Sequence, residues 1–447
     1  MQAVSNEEQE TMTTSPSSPS PSSSIAVIGA GLTGLSITLS LLHHHLSDPS
    51  NITVYDFRHA DTPDPANSSG VVLTPNGLRV LDSLGVLARI SSRCWLSEYR
   101  TYKNERDETT RKTLITNEAL YGYKNHRLWR RILVETMLGM VRERGVRVCW
   151  GARFEGVMNE DEGGVSFKVD GRVESVGMLI GADGIHSSVR KYVNPDDPGP
   201  EYTGIAGVLS HIPWNSVEWP YENYERACTI QGKPGALVLM PEDREGSIVM
   251  VAMQVKMEDR SREEWEALAQ DKEFLRDFYA NTRDKWESST AKGIIDAVCR
   301  HVDTTFLWPF MRMAPLKKWY SEKAGRVLIM GDAAHALPPS SGQGVNQALE
   351  DVYALTRLLL LLKSRPRLEL KTVLAFWQSL RQARVDAVFD WATNKTNVQR
   401  LPLADRETLV REGRVVDASS VDNFDDMRWL YQPDTDNIID TWVVQQG

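Results

Sequence analysis

The sequence predicts an α/β fold in which a parallel sheet of strand–turn–helix units is interleaved with an α+β unit holding an antiparallel sheet, with helices at the C-terminus. Three observations carry this. IAVIGAGLTGLSITLSLL reads as a buried strand (Ile25 to Ile28), a glycine turn and a helix. The same pattern of apolar strand followed by glycine returns at Met178–Ile180 with Gly181 and at Val327–Met330 with Gly331. Between those later repeats, EYTGIAGVLSHIP and GALVLMPEDREGSIVMVAMQV read as strands, with PEDREG as a hairpin turn.

Composition narrows the class. The chain has 447 residues, 41% hydrophobic and 25% charged, with 30 glycines and 21 prolines, which excludes collagen-like, wholly disordered and disulfide-scaffold proteins. At about 150 residues per domain the length suggests two or three domains. The net charge of -9 argues against a nucleic-acid partner, for which a basic patch or stripe is expected. Cys94, Cys149, Cys228 and Cys299 make no CxxC pair, so buried free thiols in a reducing, cytoplasmic setting are expected.

Residues 1–24 end in TTSPSSPSPSSS and read as a disordered tail, without the basic start and apolar core of a secretory signal. The run Ile25 to Leu42 is uncharged and mimics a membrane span, but Gly29, Gly31 and Gly34 fall where a strand would turn into a helix. Leu358 to Leu362 is too short to span, so no membrane span is expected. His43, His44 and His45 are consecutive and point in different directions on a helix, so no metal site is expected.

Gly29-x-Gly31-x-x-Gly34 is the tight-turn, close-approach and helix-packing triplet of a Rossmann-like dinucleotide fold, and places a pyrophosphate at a helix N-terminus. NITVYDFR supplies a second strand ending at Asp56, 22 residues after Gly34, the spacing of a ribose-binding acid. A turn-capping role for Asp56 and a 2′-phosphate role for Arg58 stay open.

Two later motifs specify the nucleotide. Gly181-Ala182-Asp183-Gly184 is followed by Ser187 and Arg190, and Gly331-Asp332 by a proline-rich turn and Gly342-x-Gly344 opening a long helix. With the N-terminal triplet, these GADG-x-x-S-x-x-R and GDAAH-x-x-x-P-x-x-G-Q-G-x-N stretches resemble the FAD-dependent aromatic hydroxylases. The similarity is greatest to the salicylate-hydroxylase-like branch on the para-hydroxybenzoate hydroxylase fold, and covers most of residues 24–360.

That resemblance implies roles. Asp56, standing where the family usually has Glu, would bind the adenosine ribose. Gly70 and Val71 would lie in a loop passing close to the flavin, and Arg130, ahead of Leu133 and Met137, would contact FAD, with Arg127 and Arg131 as rival registers. Asp183 would serve packing, nucleotide binding or both, and Asp332 would hydrogen-bond the ribityl chain. The helix opened by Gly342, Gly344, Val345 and Asn346 would offer backbone N–H groups to the negative charge of reduced flavin. Pro338, with Pro339, would stiffen the loop over the ring; His335 would belong to a structural turn.

The implied layout is a Rossmann-like FAD-binding domain (25–95, 125–198 and 309–362) interleaved with an α+β substrate domain (96–124 and 199–308), then a C-terminal helical region (363–447). The helix after Gly344 should end before Arg365-Pro366, and the one from Lys371 through Trp391 should pack on the FAD domain or a second subunit. In the substrate half the chain departs from many relatives, which carry an aromatic-Arg pair where it has Val208-Leu209-Ser210-His211. His211 could deprotonate a phenol or be an exposed strand-end residue; Tyr202, Tyr221 and Tyr224 are unresolved.

The expected function is an FAD-dependent monooxygenase, with NAD(P)H as co-substrate and O2 as oxidant. It would hydroxylate or epoxidise an aromatic or other electron-rich small molecule through a C4a-hydroperoxyflavin, as a monomer or homodimer. A flavin halogenase is disfavoured because none of the 13 tryptophans sits in a W-x-W-x-I-P motif. A flavin-dependent reductase of the same fold and a non-catalytic redox-sensing module are the remaining alternatives.

Overall fold

The computed structural model describes residues 23–60, 69–392, 400–412 and 427–446; the expected tail lies outside them up to residue 22. A five-stranded parallel sheet runs in the order Val327–Ile329, Met178–Gly181, Ile25–Ile28, Ile52–Asp56, Arg147–Trp150. Its strands are short apolar runs because helices cover both faces, leaving no solvated side to alternate toward. Ile28 pairs with Gly181 on one flank and Tyr55 on the other, and Gly181 pairs with Ile329, so three motif-bearing strands end level.

The uncharged run that mimicked a membrane span becomes the helix Leu32–His43, buried from Leu32 almost without break to Leu42. Its polar residues are satisfied locally: Ser36 and Thr38 donate to the carbonyls of Leu32 and Gly34, and Ser40 pairs with Thr356 at 3.0 Å. Among the described residues no helix is long and apolar enough to cross a membrane.

A seven-stranded sheet follows the order Phe306–Arg312, Glu201–Pro213, Ile248–Lys256, Gly235–Pro241, Cys228–Gly232, Tyr99–Lys103, Thr109–Leu114. All its pairings are antiparallel except that of Cys228–Gly232 with Tyr99–Lys103. Strand periodicity gives the sheet two different faces. Val249 and Val251 enter an apolar cluster with Trp265, Leu275 and Ile294 from flanking helices, while Met250, Ala252 and Gln254 face a cavity.

The helix after Gly344 runs Gly344–Ser364, and the next runs Leu370–Ala392. The second packs on the first: Trp377 Nε1 donates to the Asp351 carbonyl at 3.2 Å, and Arg381 bridges Glu350 and Asp351 at 2.7 and 2.8 Å. The acidic stretch after Ser420 lies partly outside the described residues. Beyond it the helix Thr435–Gln445 docks through Asp436 to Tyr353 and through Asp440 to Arg357.

Candidate active site

The glycine turn after Ile25–Ile28 shows three separate uses of a missing Cβ. Gly29 has φ +108°, and a Cβ there would lie 2.4 Å from the Ala182 carbonyl oxygen. A Cβ on Gly34 would lie 1.9 Å from the Gly29 carbonyl oxygen, so this position sets how closely helix and strand pack. Gly31 faces open space, and the helix it opens has no side-chain cap. Uncapped N–H groups beside an open backbone suit an anionic pyrophosphate.

Asp56 ends its strand nearby, and its carboxylate ties the turn together. It accepts from Ala30 N at 2.8 Å and from the Arg58 side chain at 2.8 and 2.7 Å. Burial pushes its pKa up, but the Arg58 hydrogen bonds and charge outweigh this and hold the carboxyl below its ordinary value. Asp183 takes a capping position, accepting from Ser187 Oγ at 2.5 Å and from Ser188 N and Val189 N at the head of the helix Ser188–Val193. Arg190 joins this motif to GDAAH by donating to the Ala333 carbonyl at 3.2 Å.

Beyond the sheet edge lies a cavity of about 470 Å³. One wall is Gly70, Val71, Val72, Arg130, Asp332 and Gly342–Val345; the other is the seven-stranded sheet, with Leu209, Val238, Met240, Met250, Trp308 and Phe310. The sequence-predicted residues Gly70, Val71, Arg130, Asp332, Gly342, Gly344 and Val345 therefore meet at one cavity. Of the rival registers, Arg127 also lines it, whereas Arg131 is exposed elsewhere. Asp332 heads a short helix, and no side-chain hydrogen bond or ion pair engages its carboxylate among the described residues. Gly344 opens its helix without a side-chain cap. These open donors and the free carboxylate fit the polar periphery of a flavin.

Three predicted residues sit behind the lining. Asn346 is fully buried and its amide is spent on structure, donating to the carbonyls of Val72 and Gly342 and accepting from Thr74 N. It fixes two cavity-lining segments to each other. Pro338 is buried at the start of the turn whose next residue, Pro339, reaches the cavity. His211 is buried, correcting the exposed strand-end alternative. Its Nε2 faces Glu242 Oε1 at 3.1 Å and its ring packs on Trp129 and Phe306.

Sequence reasoning missed the partner of that histidine. Glu242, fully buried, also receives Arg127 Nη2 at 2.5 Å. Burial pushes its pKa up, but the Arg127 charge and the His211 hydrogen bond pull it below its ordinary value. A Cβ on Gly70 would strike its other oxygen at 1.7 Å, so Gly70 makes room for a buried ion pair beside the cavity. Tyr202, Tyr221 and Tyr224 all lie off the lining, Tyr224 donating to Asp107 at 2.9 Å. His335 is likewise buried in the GDAAH turn, its Nε2 2.5 Å from Asp351.

The fold and this edge of glycine turns define a flavin-nucleotide-binding protein. The family model described as FAD binding domain matches residues 22–391, and the chain belongs to that family. Among its curated relatives, 3-amino-4-hydroxybenzoate 2-monooxygenase PtnB3 of Streptomyces platensis is 27% identical, over 91% of this chain and 95% of the relative. Salicylate hydroxylase of Pseudomonas putida is 26% identical, over 75% and 76%. The solved Klebsiella pneumoniae HpxO, complexed with FAD and uric acid, shares the fold with a TM-score of 0.68 at 20% identity, over 87% and 92%.

Proposed function

We propose that this protein is an FAD-dependent monooxygenase that uses NAD(P)H and O2 to hydroxylate an aromatic or similarly electron-rich small molecule. The observation that carries the reading is the two-walled cavity, where the segments of the FAD motifs face a separate, mainly apolar sheet surface. Its size and mixed lining are those of a small-molecule site. The curated relatives act on hydroxylated benzoates by name, which supports an aromatic substrate.

Gly31 and the N-terminus of Leu32–His43 would hold the pyrophosphate, and Asp56 the ribose, with Arg58 already organising its carboxylate. Asp332 and Arg130 would hold the polar chain and ring edge, and the N–H groups from Gly342 to Val345 would face the electron-rich side of the ring. Bound FAD supplies the reductive activation of O2, chemistry that side chains cannot perform. The protein's own part is to position the substrate ring between Leu209, Met240, Met250 and Phe310 and to exclude water from it. His211 and Glu242 act as positioning residues: His211 lies against the Glu242 carboxylate, which in turn fixes Arg127 at the cavity wall.

The test is to load the purified protein with FAD and follow NADH and NADPH oxidation with an oxygen electrode across a panel of phenols and hydroxybenzoates. A flavin spectrum at one FAD per chain and aromatic-stimulated oxygen uptake are expected. A colourless protein that takes up no FAD would contradict the proposal.

A further inference from the structure

Two methionines stand where the proposed aromatic ring would lie. Met240 and Met250 are register partners on the neighbouring antiparallel strands Gly235–Pro241 and Ile248–Lys256, and both line the cavity. Cross-strand partners on one sheet face hold their Cβ atoms about 5 Å apart, so the two thioethers form one patch. Leu209 and Val238 fill the same wall with branched aliphatic side chains, so filling space does not by itself call for sulfur. A thioether adds a polarizable, oxidisable atom that an aliphatic chain lacks.

Met250 is also held in place. Its sulfur accepts from Arg127 Nη2 at 3.4 Å, the same nitrogen that binds Glu242. Arg127 Nε is buried without a hydrogen-bond partner. Met250 is 6% exposed, so the cavity is its route of access. Oxidation of the thioether to a sulfoxide puts an oxygen acceptor at this position. A buried polar oxygen without a donor is costly, but here the Arg127 guanidinium already lies against the sulfur, so the oxidised side chain has a partner in the wall.

We propose that Met250, with Met240 beside it, is a self-oxidation site: when no aromatic occupies the cavity, oxygen activated there passes to the Met250 sulfur and leaves a methionine sulfoxide. The inference rests on the cavity being the chamber in which O2 is activated. The oxidant is a hydroperoxide, made from O2 and two electrons supplied by NAD(P)H. The sulfur lone pair attacks its distal oxygen, and an S–O bond forms as the O–O bond breaks. The remaining oxygen departs with the electron pair of that bond, takes up the proton released by the first, and ends in water. Sulfur is oxidised by two electrons and the peroxide is reduced by two. A bound aromatic covers the same wall and takes the oxygen instead, so the sulfoxide records turnover that missed its target. A polar sulfinyl group in this apolar slot would also weaken aromatic binding.

The experiment follows oxygen by mass. FAD-loaded protein is reduced under argon with one equivalent of dithionite, exposed to ¹⁸O₂ with excess catalase present, cycled repeatedly and digested. Peptides bearing Met240, Met250 and Met158 are then compared. Dithionite supplies the two electrons directly, so the result does not depend on how NAD(P)H docks. The ¹⁸O label separates oxygen activated in the cycle from oxidation during handling, and catalase clears peroxide released to solvent. Met158, 62% exposed and on a separate three-stranded sheet, reports whatever peroxide remains. Labelled sulfoxide at Met250 should exceed that at Met158 roughly tenfold, because a reactant held beside the sulfur acts at a far higher effective concentration than one in bulk. Saturation with the hydroxybenzoate that most stimulates oxygen uptake should lower the Met250 label several-fold. Met158 labelled as heavily as Met250, an unlabelled Met250, or a Met250 label indifferent to the aromatic would each overturn the proposal. Such a result with aromatic-stimulated oxygen uptake intact leaves the monooxygenase reading standing; a protein that takes up no FAD removes both.

Discussion

The two walls of the cavity are built on opposite principles. The side proposed for the cofactor is largely backbone: the turns at Gly331–Asp332 and Gly342–Val345 reach the cavity, the turn at Gly29–Gly34 lies outside its lining, and each is specified by a handful of consecutive residues. The side proposed for the substrate is side chain, assembled from strands and a C-terminal segment hundreds of residues apart, such as Tyr102, Met250 and Tyr431. A backbone site tolerates almost no change at its glycines yet accepts varied neighbours. A side-chain site can be rewritten residue by residue without disturbing the fold. The contrast accounts for one cofactor edge serving relatives whose names give different substrates.

The largest effect expected from breaking this contrast is at Gly34. Gly34→Val places atoms where even a Cβ lies 1.9 Å from a backbone oxygen, so helix and strand must separate. A destabilisation of more than about 4 kcal/mol is expected, seen as loss of soluble, flavin-loaded protein; a variant with normal melting and flavin content would contradict the packing argument.

Next comes Glu242→Leu, which strands Arg127 and unpairs His211 in the buried wall. Removing one partner of a buried ion pair costs about 3–5 kcal/mol, measurable by urea unfolding.

Much of the glycine-turn geometry was legible in the sequence because its information is local. A strand, a glycine at positive φ and a helix start occupy ten consecutive residues, and Gly29, Gly31 and Gly34 could be assigned distinct tasks from spacing alone. The helix boundaries around Gly344 and Leu370 were likewise readable from apolar periodicity and the Arg365-Pro366 stop. Asn346 was legible as a motif member but not as a staple, since its partners Val72 and Thr74 lie over 270 positions away. Glu242 was hidden inside a hairpin turn, and only its distance to Arg127 reveals its task.

Two smaller effects refine the cofactor wall. Asp332→Ala should leave the stability of FAD-free protein unchanged, because the carboxylate has no protein partner among the described residues, yet weaken FAD retention by roughly tenfold to a hundredfold. Equilibrium dialysis against FAD measures this, and unchanged retention would place the flavin chain elsewhere. Asp56, whose folded pKa is depressed, contributes stability that is present above its unfolded value near 3.9 and is lost as pH falls through the folded value. Asp56→Asn should therefore flatten the acid limb of the melting-temperature profile below about pH 4 while changing its neutral plateau less than Gly34→Val does; an acid limb as steep as the parent's would show that Arg58 does not hold this carboxylate.

The most direct test of the two-walled account follows the fate of oxygen. FAD-loaded protein is supplied with NAD(P)H, ¹⁸O₂ and the hydroxybenzoate that most stimulates oxygen uptake, and the product is weighed by mass spectrometry. One labelled oxygen per product molecule, with none acquired from labelled water, is the predicted result. Reduced or unlabelled product, or NAD(P)H oxidation with every equivalent recovered as hydrogen peroxide across the panel, would contradict it.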